Sequence, residues 1–317
     1  MSAIATTTAT MKAVRIHSFG GPEVLRLEEV PLPEPKENEV LVHIHAAGVN
    51  PVDWKTREGR FGKIPLPCIM GSDFSGLVEA LGPGVTDFRV GEAVFGTVSD
   101  ESGSYAEYAL ASTSHITEKP PLLDHGRAAA LPIAGLTAWQ ALFDAGGLRG
   151  GQKLLIHAAA GGVGAFAVQF ARWRGAYIIG TASNQHLDFV RQLGADEVID
   201  YRADRFEDKV READVVLDTI GGDTQQRSWS VLKKGGILIS IVQPPSEAVA
   251  AAHGMQGVFL RCDLSKRNEL AQIGDLVARG QVGVYLETTL PLQDARQAQE
   301  LSQSGHAQGK IVLQMAA

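Results

Sequence analysis

The stretch Leu154-Leu155-Ile156-His157-Ala158-Ala159-Ala160-Gly161-Gly162-Val163-Gly164 joins an apolar run to a segment with aromatic residues at helical spacing. It predicts a strand over Lys153–His157, a tight turn, and a helix over Gly164–Arg174. Small side chains let such a turn approach a pyrophosphate closely, and the helix N-terminus presents free N–H groups and the positive end of its dipole. A turn that binds nothing is the alternative. The residues expected to hold the pyrophosphate are Ala160, Gly161, Gly162, Val163 and Gly164.

Strand-like and helix-like segments alternate on both sides of this turn, from about residue 128 to residue 265. Alternation at this spacing predicts a parallel, doubly wound sheet. One helix is predicted over Ala129–Asp144 and another over Asp223–Leu232. The predicted strands are Lys153–His157, Ala176–Ala182, Glu197–Ile199, Asp214–Thr219, Gly236–Val242 and Gly257–Cys262.

The chain before residue 128 consists of short alternating runs broken by turns, with Asn50–Gly62 predicted to be an irregular segment. After Ser265 the pattern predicts two helices and two short strands, which are too few for a separate domain. The predicted units are a flexible lead-in (1–10), a β-rich domain (11–129), an α/β domain (130–265), and a segment that completes the β-rich domain (266–317). The predicted strands of the β-rich unit are Lys12–His17, Val40–His45, Gly76–Leu81, Glu92–Phe95, Tyr105–Ala111 and Lys310–Gln314.

Composition excludes several classes of protein. The 317 residues are 44% hydrophobic and 21% charged, which is typical of globular domains and not of disordered chains. A formal charge of −7 without a basic stripe excludes nucleic acid as a partner. Two cysteines cannot form a disulfide framework. The sequence shows no apolar run of membrane-helix length and no secretion signal at its start, so we expect a cytoplasmic protein without membrane contact.

The end of the second α/β strand indicates which nicotinamide cofactor the turn would accept. An acidic residue there would bind the ribose 2′-hydroxyl of NAD, but Thr181–Gln185 contains none. Ser183 can donate to a 2′-phosphate instead, and Tyr201 and Arg202 follow the third strand, where they can add contacts. For Arg202 a solvated surface charge is the alternative. The segment therefore favours NADP, bound as NADPH, over NAD.

Two further positions lie where doubly wound sheets bind ligands, after the carboxyl ends of strands. Val242 follows the strand residues Gly236–Ile241, and its backbone is expected to meet the nicotinamide amide. Ile220 follows the preceding strand in a similar way, although the two glycines after it can simply turn the chain.

Seven segments share the pattern of one family: GVNPVDWK (48–55), GSDFSG (71–76), VGEAVFG (90–96), GSYAEY (103–108), LTA (136–138), AAAGGVG (158–164) and GKIVL (309–313). Together they resemble the zinc-independent quinone oxidoreductase branch of the medium-chain dehydrogenase/reductase superfamily. The resemblance implies an α/β fold with a GroES-like β-rich catalytic domain and a Rossmann doubly wound parallel sheet, with the cofactor in the cleft between them. It also implies reduction of quinones, or of the C=C bond of enones and enals, with NADPH.

The resemblance implies roles for five residues. Asn50, Asp53 and Lys55 occupy the loop that faces the nicotinamide in relatives. Asn50 is expected to donate to the developing oxyanion and Lys55 to act as a donor or acid, while for Asp53 the alternative is a structural role in the loop. Thr137, at the start of a helix, resembles a contact to nicotinamide or substrate, or else bonds locally. Lys310 is expected to contact the cofactor.

No metal is expected. Zinc-dependent relatives have cysteine at the position of Asn50, Gly-His-Glu at the position of residues 71–73, and a four-cysteine lobe where this chain has only Gly96–Ser104. A catalytic zinc needs Cys, His or carboxylate ligands and an open position. His43 and His45 alternate on one face of a strand and are interpreted as ordinary strand residues.

Three functions stay open. The first is NADPH-dependent reduction of a quinone or an α,β-unsaturated carbonyl. The second is a zinc-free alcohol or enoyl-thioester oxidoreductase, although the chain lacks the basic cluster that would bind a pantetheine-linked phosphate. The third is a non-catalytic NADPH-binding sensor or partner protein, against which the intact Asn50 loop argues. The apolar run Val258–Leu260 on an edge strand predicts a two-fold homodimer that extends the sheet.

Overall fold

The fold is built from three sheets and the helices that cover them. The computed structural model describes residues 9–61 and 64–316, so most of the lead-in predicted for residues 1–10 lies outside the described residues. Within the described residues the strands are β1 (Thr10–Ile16), β2 (Arg26–Pro31), β3 (Glu39–Val49), β4 (Cys68–Ile69), β5 (Asp73–Leu81), β6 (Ala93–Thr97), β7 (Tyr108–Ser112), β8 (Ile116–Glu118), β9 (Lys153–Ile156), β10 (Tyr177–Ala182), β11 (Glu197–Asp200), β12 (Ala213–Asp218), β13 (Leu232–Ser240), β14 (Gln256–Phe259), β15 (Leu286–Pro291) and β16 (Lys310–Gln314).

The helices connect these strands, and short 3₁₀ turns extend several of them. The α-helices of the described chain are α1 (Pro51–Arg57), α2 (His125–Ala129), α3 (Pro132–Trp139), α4 (Gly162–Arg174), α5 (Leu187–Leu193), α6 (Phe206–Lys209), α7 (Gly222–Ser228), α8 (Glu247–His253), α9 (Arg267–Ala278) and α10 (Ala295–Gln303). Among them, none has the length and apolar character that a bilayer crossing requires.

The predicted doubly wound sheet is confirmed. Its six strands lie in the order β11-β10-β9-β12-β13-β14, and every neighbouring pair is parallel. Parallel strands that are covered on both faces consist of nearly continuous apolar residues. Leu154, Leu155 and Ile156 in β9 illustrate this, since all three are completely buried.

The second sheet belongs to the β-rich part of the chain and faces the parallel sheet at the candidate site described below. Its order is β15-β16-β3-β5-β6-β8, with β7 also pairing with β3, and a small sheet β2-β1-β4 lies beside it. β16 runs antiparallel to β3, with Val312 opposite Gly48. The C-terminal segment therefore adds strands to the β-rich sheet, while the domain boundaries themselves remain a prediction.

The segment Asn50–Gly62, predicted to be irregular, begins with helix α1. Asn50 is the N-cap, Pro51 takes the first helical position, and the Asp53 side chain accepts from the Asn50 backbone in a reciprocal capping box. Each of these is a local sequence signal for a helix start. The helix was missed because its seven residues contain too few apolar positions for a periodic pattern.

The single helix predicted over Ala129–Asp144 is wrong. The chain forms α2, restarts as α3, and then continues as a π-helical turn over Gln140–Ala145. Proline at position 132 lacks an N–H to bond to the preceding turn and suits the first position of a helix, and α3 starts there. Thr137 consequently lies in the last turn of α3 and not at a helix start, which corrects its predicted place.

Other corrections concern strand ends. β13 begins at Leu232, where the sequence predicted the end of a helix, and α7 already ends at Ser228. β14 ends at Phe259, three residues before the predicted end. β2 and β8 were not predicted. β2 buries only Val30, so its sequence shows no regular apolar alternation.

Strand β14 lies at the edge of the parallel sheet, as predicted. Leu260 N–H donates to Ser240 O of β13, so alternation along the strand directs the N–H of Phe259 outward. An edge with free N–H groups and an apolar run is a site for strand pairing. We propose that a second copy pairs there about a two-fold axis.

Sedimentation velocity at micromolar concentration tests this pairing. We expect a species of twice the 33.8 kDa chain mass. Phe259→Pro removes the outward N–H, and proline is tolerated on edge strands, so this variant should sediment as a single folded chain. A wild-type protein that sediments as one chain would contradict the proposal.

Candidate active site

The glycine turn has the geometry of a phosphate cradle. Helix α4 begins at Gly162 with Gly161 as its N-cap, so no capping side chain covers the first N–H groups of the helix. A β-carbon on Gly164 would lie 2.3 Å from the carbonyl oxygen of Ala158, which only glycine avoids. α4 therefore packs closely against the end of β9, and its thirteen residues direct a full helix dipole at the turn.

The residues predicted to contact the 2′-phosphate lie together at the carboxyl edge of the same sheet. Ser183 directly follows β10, and Tyr201 follows the adjacent strand β11. Tyr201 N–H donates to Ala182 O at 3.2 Å, which holds the two strand ends side by side. The Arg202 guanidinium lies 5.7 Å from the Tyr201 ring centroid, and Tyr201 is half exposed. This corner therefore contains a hydroxyl, a phenol and a cation. The residue after β10, at position 183, is a serine and not an acid.

Ile220 and Val242 lie after β12 and β13, at the next two strand ends along this edge. Asp218 fixes both loops, because its carboxylate accepts from Ile220 N–H at 3.0 Å and from Ser240 Oγ at 2.8 Å. Ile220 is more than half exposed, with an exposed fraction of 54%. An exposed isoleucine held in place by a buried carboxylate suits a ligand contact.

A cluster of five buried polar residues lies where β16, β3 and α1 meet, and we call it the Asn50 cluster. The Asn50 amide donates to Asp73 Oδ2 at 2.8 Å, and its carbonyl oxygen accepts from the Lys310 ammonium. Asp53 Oδ2 accepts from Asn50 N–H and from the Tyr105 hydroxyl, each at 2.8 Å. The exposed fraction of each member is 4% or less. The members are Asn50, Asp53, Asp73, Tyr105 and Lys310.

Burial controls the charges in this cluster. Desolvation raises the pKa of Asp53 to about 7, despite hydrogen bonds from Asn50 and Tyr105 that act in the opposite direction. Desolvation also raises the pKa of Asp73 to about 6, and the Lys310 ammonium limits that rise. Desolvation lowers the pKa of Lys310 itself, while Asp73 and Asp53 raise it. Two carboxyl groups and one ammonium therefore share a site from which water is excluded.

Two residues with predicted roles toward ligands make contacts inside this cluster, and those predicted roles stay predictions. The Asn50 amide was expected to meet a developing oxyanion, but it donates to Asp73 while its oxygen accepts from Lys310. Lys310 was expected to contact the cofactor, but its ammonium is directed at the oxygens of Val49 and Asn50. A buried ammonium needs oxygen partners, and this pocket supplies them.

The other predicted residues, Asp53, Lys55 and Thr137, differ in their contacts and in their burial. Asp53 closes the capping box of α1, which fits the loop-holding alternative. Lys55 is half-buried, and its amino group lies 5.5 Å from the Trp54 ring centroid. Burial and the nearby Arg60 lower the pKa of Lys55. Thr137 is buried next to Cys262, whose thiol pKa burial raises to about 12.

Sequence reasoning missed three residues of the site. Asp73 and Tyr105 belong to the Asn50 cluster, although neither was predicted to have a role in the site. Arg57 is completely buried and donates to Gln299 and Gln303 of α10, each at 2.9 Å. An acid at the first position of β5, directly before Phe74, was the available signal for Asp73.

Two sheets that meet at a glycine turn and a buried polar cluster define a two-domain dehydrogenase or reductase. A family model described as an alcohol dehydrogenase GroES-like domain matches residues 36–121, and one described as a zinc-binding dehydrogenase matches residues 193–313. The chain is 36% identical over 330 residues to quinone oxidoreductase from Sus scrofa and 34% identical to that from Homo sapiens, with 98% of this chain and 99% of each relative covered.

Solved structures agree with these sequence matches. The structure of the quinone oxidoreductase from Coxiella burnetii matches with a TM-score of 0.90 at 35% identity, over 97% of this chain and 100% of that one. Escherichia coli quinone oxidoreductase complexed with NADPH matches with a TM-score of 0.88 at 29% identity, over 96% and 99% of the two chains. The chain therefore belongs to the quinone oxidoreductase branch of the medium-chain dehydrogenase/reductase superfamily, a family of oxidoreductases.

The residues do not fit the zinc that one family description mentions. Asn50 offers an amide, and Asp73 already accepts from that amide and from Ile133 N–H. Over residues 9–61 and 64–316, no three His, Cys, Asp or Glu side chains are grouped so that they could hold a metal ion. His43 and His45 have ring centroids 5.3 Å apart, in an edge-to-face contact. The absence of metal stays a prediction.

The raised pKa of Asp53 predicts a pH dependence of stability. Because this pKa is about 7 in the folded protein against 3.8 as its ordinary value, the folded state binds more protons between those limits, and the free energy of unfolding falls as the pH rises through them. Asp53→Asn keeps the hydrogen-bond acceptor and removes the titration. Urea unfolding at pH 4.5 and 7.5 should therefore show a smaller decrease in the variant.

The exposed residue Asp100 provides the control, since Asp100→Asn should leave the decrease unchanged. A decrease in Asp53→Asn equal to that of the wild type would contradict the assignment.

Proposed function

We propose that the chain transfers a hydride from NADPH to a quinone or to an α,β-unsaturated carbonyl compound. The observation that supports this most strongly is the contact between the glycine turn and β16. Gly309 N–H donates to Ala160 O at 2.9 Å, and the next residue reaches the Asn50 cluster. A cofactor held at the turn therefore lies beside the loop that begins at Asn50. Relatives named quinone oxidoreductase support the choice of acceptor.

The residues of the sheet edge fit NADPH. The open N-terminus of α4 suits the pyrophosphate, because Gly161 leaves its first N–H groups uncovered. Ser183, Tyr201 and Arg202 suit a 2′-phosphate, for which an acid at the end of β10 would be repulsive. A similar structure, Escherichia coli quinone oxidoreductase, was solved with NADPH.

When bound, NADPH supplies the hydride, and one proton completes the two-electron reduction of the acceptor. The chain has to orient the acceptor, keep water out and deliver that proton. The Asn50 cluster holds the start of α1 in one conformation through the capping box and the Asp73 bond. Lys55, one turn further along, is half-buried with a lowered pKa, which makes it the proposed proton donor to the carbonyl oxygen.

The function is tested by following the oxidation of NADPH and NADH at 340 nm, each with a simple quinone and with a simple enone. We expect NADPH oxidation with at least one of the two acceptors and a slower rate with NADH. Tight NADPH binding without turnover of either acceptor would contradict the proposal. Alcohols and enoyl thioesters would then be tried, followed by protein partners.

The cofactor preference is tested at Ser183. Ser183→Asp places a carboxylate where the 2′-phosphate is expected, so the KM for NADPH should rise about tenfold or more, which corresponds to roughly 1.4 kcal/mol. The KM for NADH should not rise. Ser183→Ala serves as the matched control, since it removes the hydroxyl without adding charge and should change the KM for NADPH less. An equal rise for both cofactors in Ser183→Asp would contradict the assignment.

A further inference from the structure

The chain contacts both halves of the proposed site within residues 309–311, where strand β16 begins. Gly309 forms a parallel bridge with Gly161 of the glycine turn. Ile311, two residues later, already pairs with Val49 of β3, next to Asn50. A β-carbon at Gly309 would lie 2.3 Å from Tyr285 O, so the packing of this residue against Tyr285 depends on glycine. Lys310 lies between these two contacts.

The Lys310 side chain spans the distance between the turn and the loop. Its Cδ atom lies only 3.0 Å from the position a β-carbon of Gly162 would take, so its methylenes pack on the turn. Its ammonium donates to Val49 O at 3.1 Å and to Asn50 Oδ1, and it lies 4.0 Å from Asp73 Oδ2. The ammonium therefore has three oxygens around it, and only 4% of the residue is exposed.

We propose that Lys310 is a positioning residue that fixes the loop beginning at Asn50 relative to the glycine turn. The proposal rests on the proposed function, because the turn is taken to hold the cofactor and the loop to face the acceptor. Without the ammonium, the oxygens of Val49 and Asn50 lose their donor and Asp73 loses its cation. Buried oxygens without partners are unfavourable, so the loop would rearrange.

This role predicts a particular division of kinetic effects. Cofactor affinity is set by the turn and by the sheet edge near Ser183, neither of which includes the ammonium. Hydride transfer depends on the acceptor lying within a narrow distance of the cofactor, and a displacement of 1 Å can lower the rate about 100-fold. Loss of the ammonium should therefore lower kcat far more than it weakens NADPH binding.

The test compares Lys310→Met with Lys119→Met. Lys119 is also a buried lysine, with 8% exposure, but its ammonium donates to the backbone oxygens of Pro120 and Leu123. We expect Lys310→Met to lower kcat about 100-fold and to change the Kd for NADPH less than threefold. Lys119→Met should leave both values unchanged, although its melting temperature can fall. Lys310→Arg, which keeps the charge, should recover part of kcat.

Two results would overturn the proposal. A Kd for NADPH that rises as much as kcat falls would make Lys310 a cofactor contact. An unchanged kcat in Lys310→Met would remove it from the mechanism.

Hydrogen exchange separates this proposal from the proposed function, because it needs no turnover. Amides of residues 50–57 should exchange faster in Lys310→Met than in the wild type, and Lys119→Met should leave them unchanged. If the wild type reduces no acceptor but this difference appears, the positioning role stands and the proposed function fails. Unchanged exchange at residues 50–57 in Lys310→Met would overturn the positioning role whatever the acceptor.

Discussion

A backbone hydrogen bond, from Gly309 N–H to Ala160 O, joins the two sheets at the place where each presents its polar residues. Its length of 2.9 Å requires the last strand of the β-rich sheet to pass directly over the glycine turn of the parallel sheet. A β-carbon at Gly309 would lie 2.3 Å from Tyr285 O, and a β-carbon at Gly162 of the turn would lie 3.0 Å from Lys310 Cδ, so both positions favour glycine. The position of the site relative to the cofactor turn follows from this contact.

The Asn50 cluster fixes the conformation of the loop at this contact, and it does so at a cost in stability. Two carboxyl groups and an ammonium are removed from water, and the resulting desolvation is offset by a closed set of hydrogen bonds. Buried ion pairs contribute little net stability, but removing one partner typically costs about 3–5 kcal/mol. The cluster therefore selects one conformation of the loop at Asn50, which hydride transfer needs more than it needs additional stability.

The sequence predicted best what depends on local residues. The glycine turn, β9 and α4 follow from contiguous signals, and the parallel sheet follows from the alternation around them. The signals for helix α1 are equally local, since Asn50, Pro51 and Asp53 form its start and its capping box. Apolar periodicity alone did not reveal this helix. Pro132, where α3 begins, was a further local signal. It was overlooked because the apolar pattern around it looked continuous.

What could not be predicted depends on residues far apart in the chain. The bond between Lys310 and Asn50 spans 260 positions, and the ammonium could be assigned correctly only once β16 was placed beside β3. The Asn50 bond to Asp73 could not be predicted for the same reason, because Asp73 lies on another strand. Spacing in a sequence identifies residue types suited to a reaction, whereas their hydrogen-bond partners depend on the topology.

We propose that one cleft holds the cofactor on the glycine turn and the acceptor beside the loop at Asn50. A crystal structure with NADPH tests it most directly. We expect density for the pyrophosphate at the N-terminus of α4, for a 2′-phosphate beside Ser183 and Tyr201, and for a nicotinamide ring near α1. NADPH bound elsewhere, or with its nicotinamide directed away from α1, would contradict it.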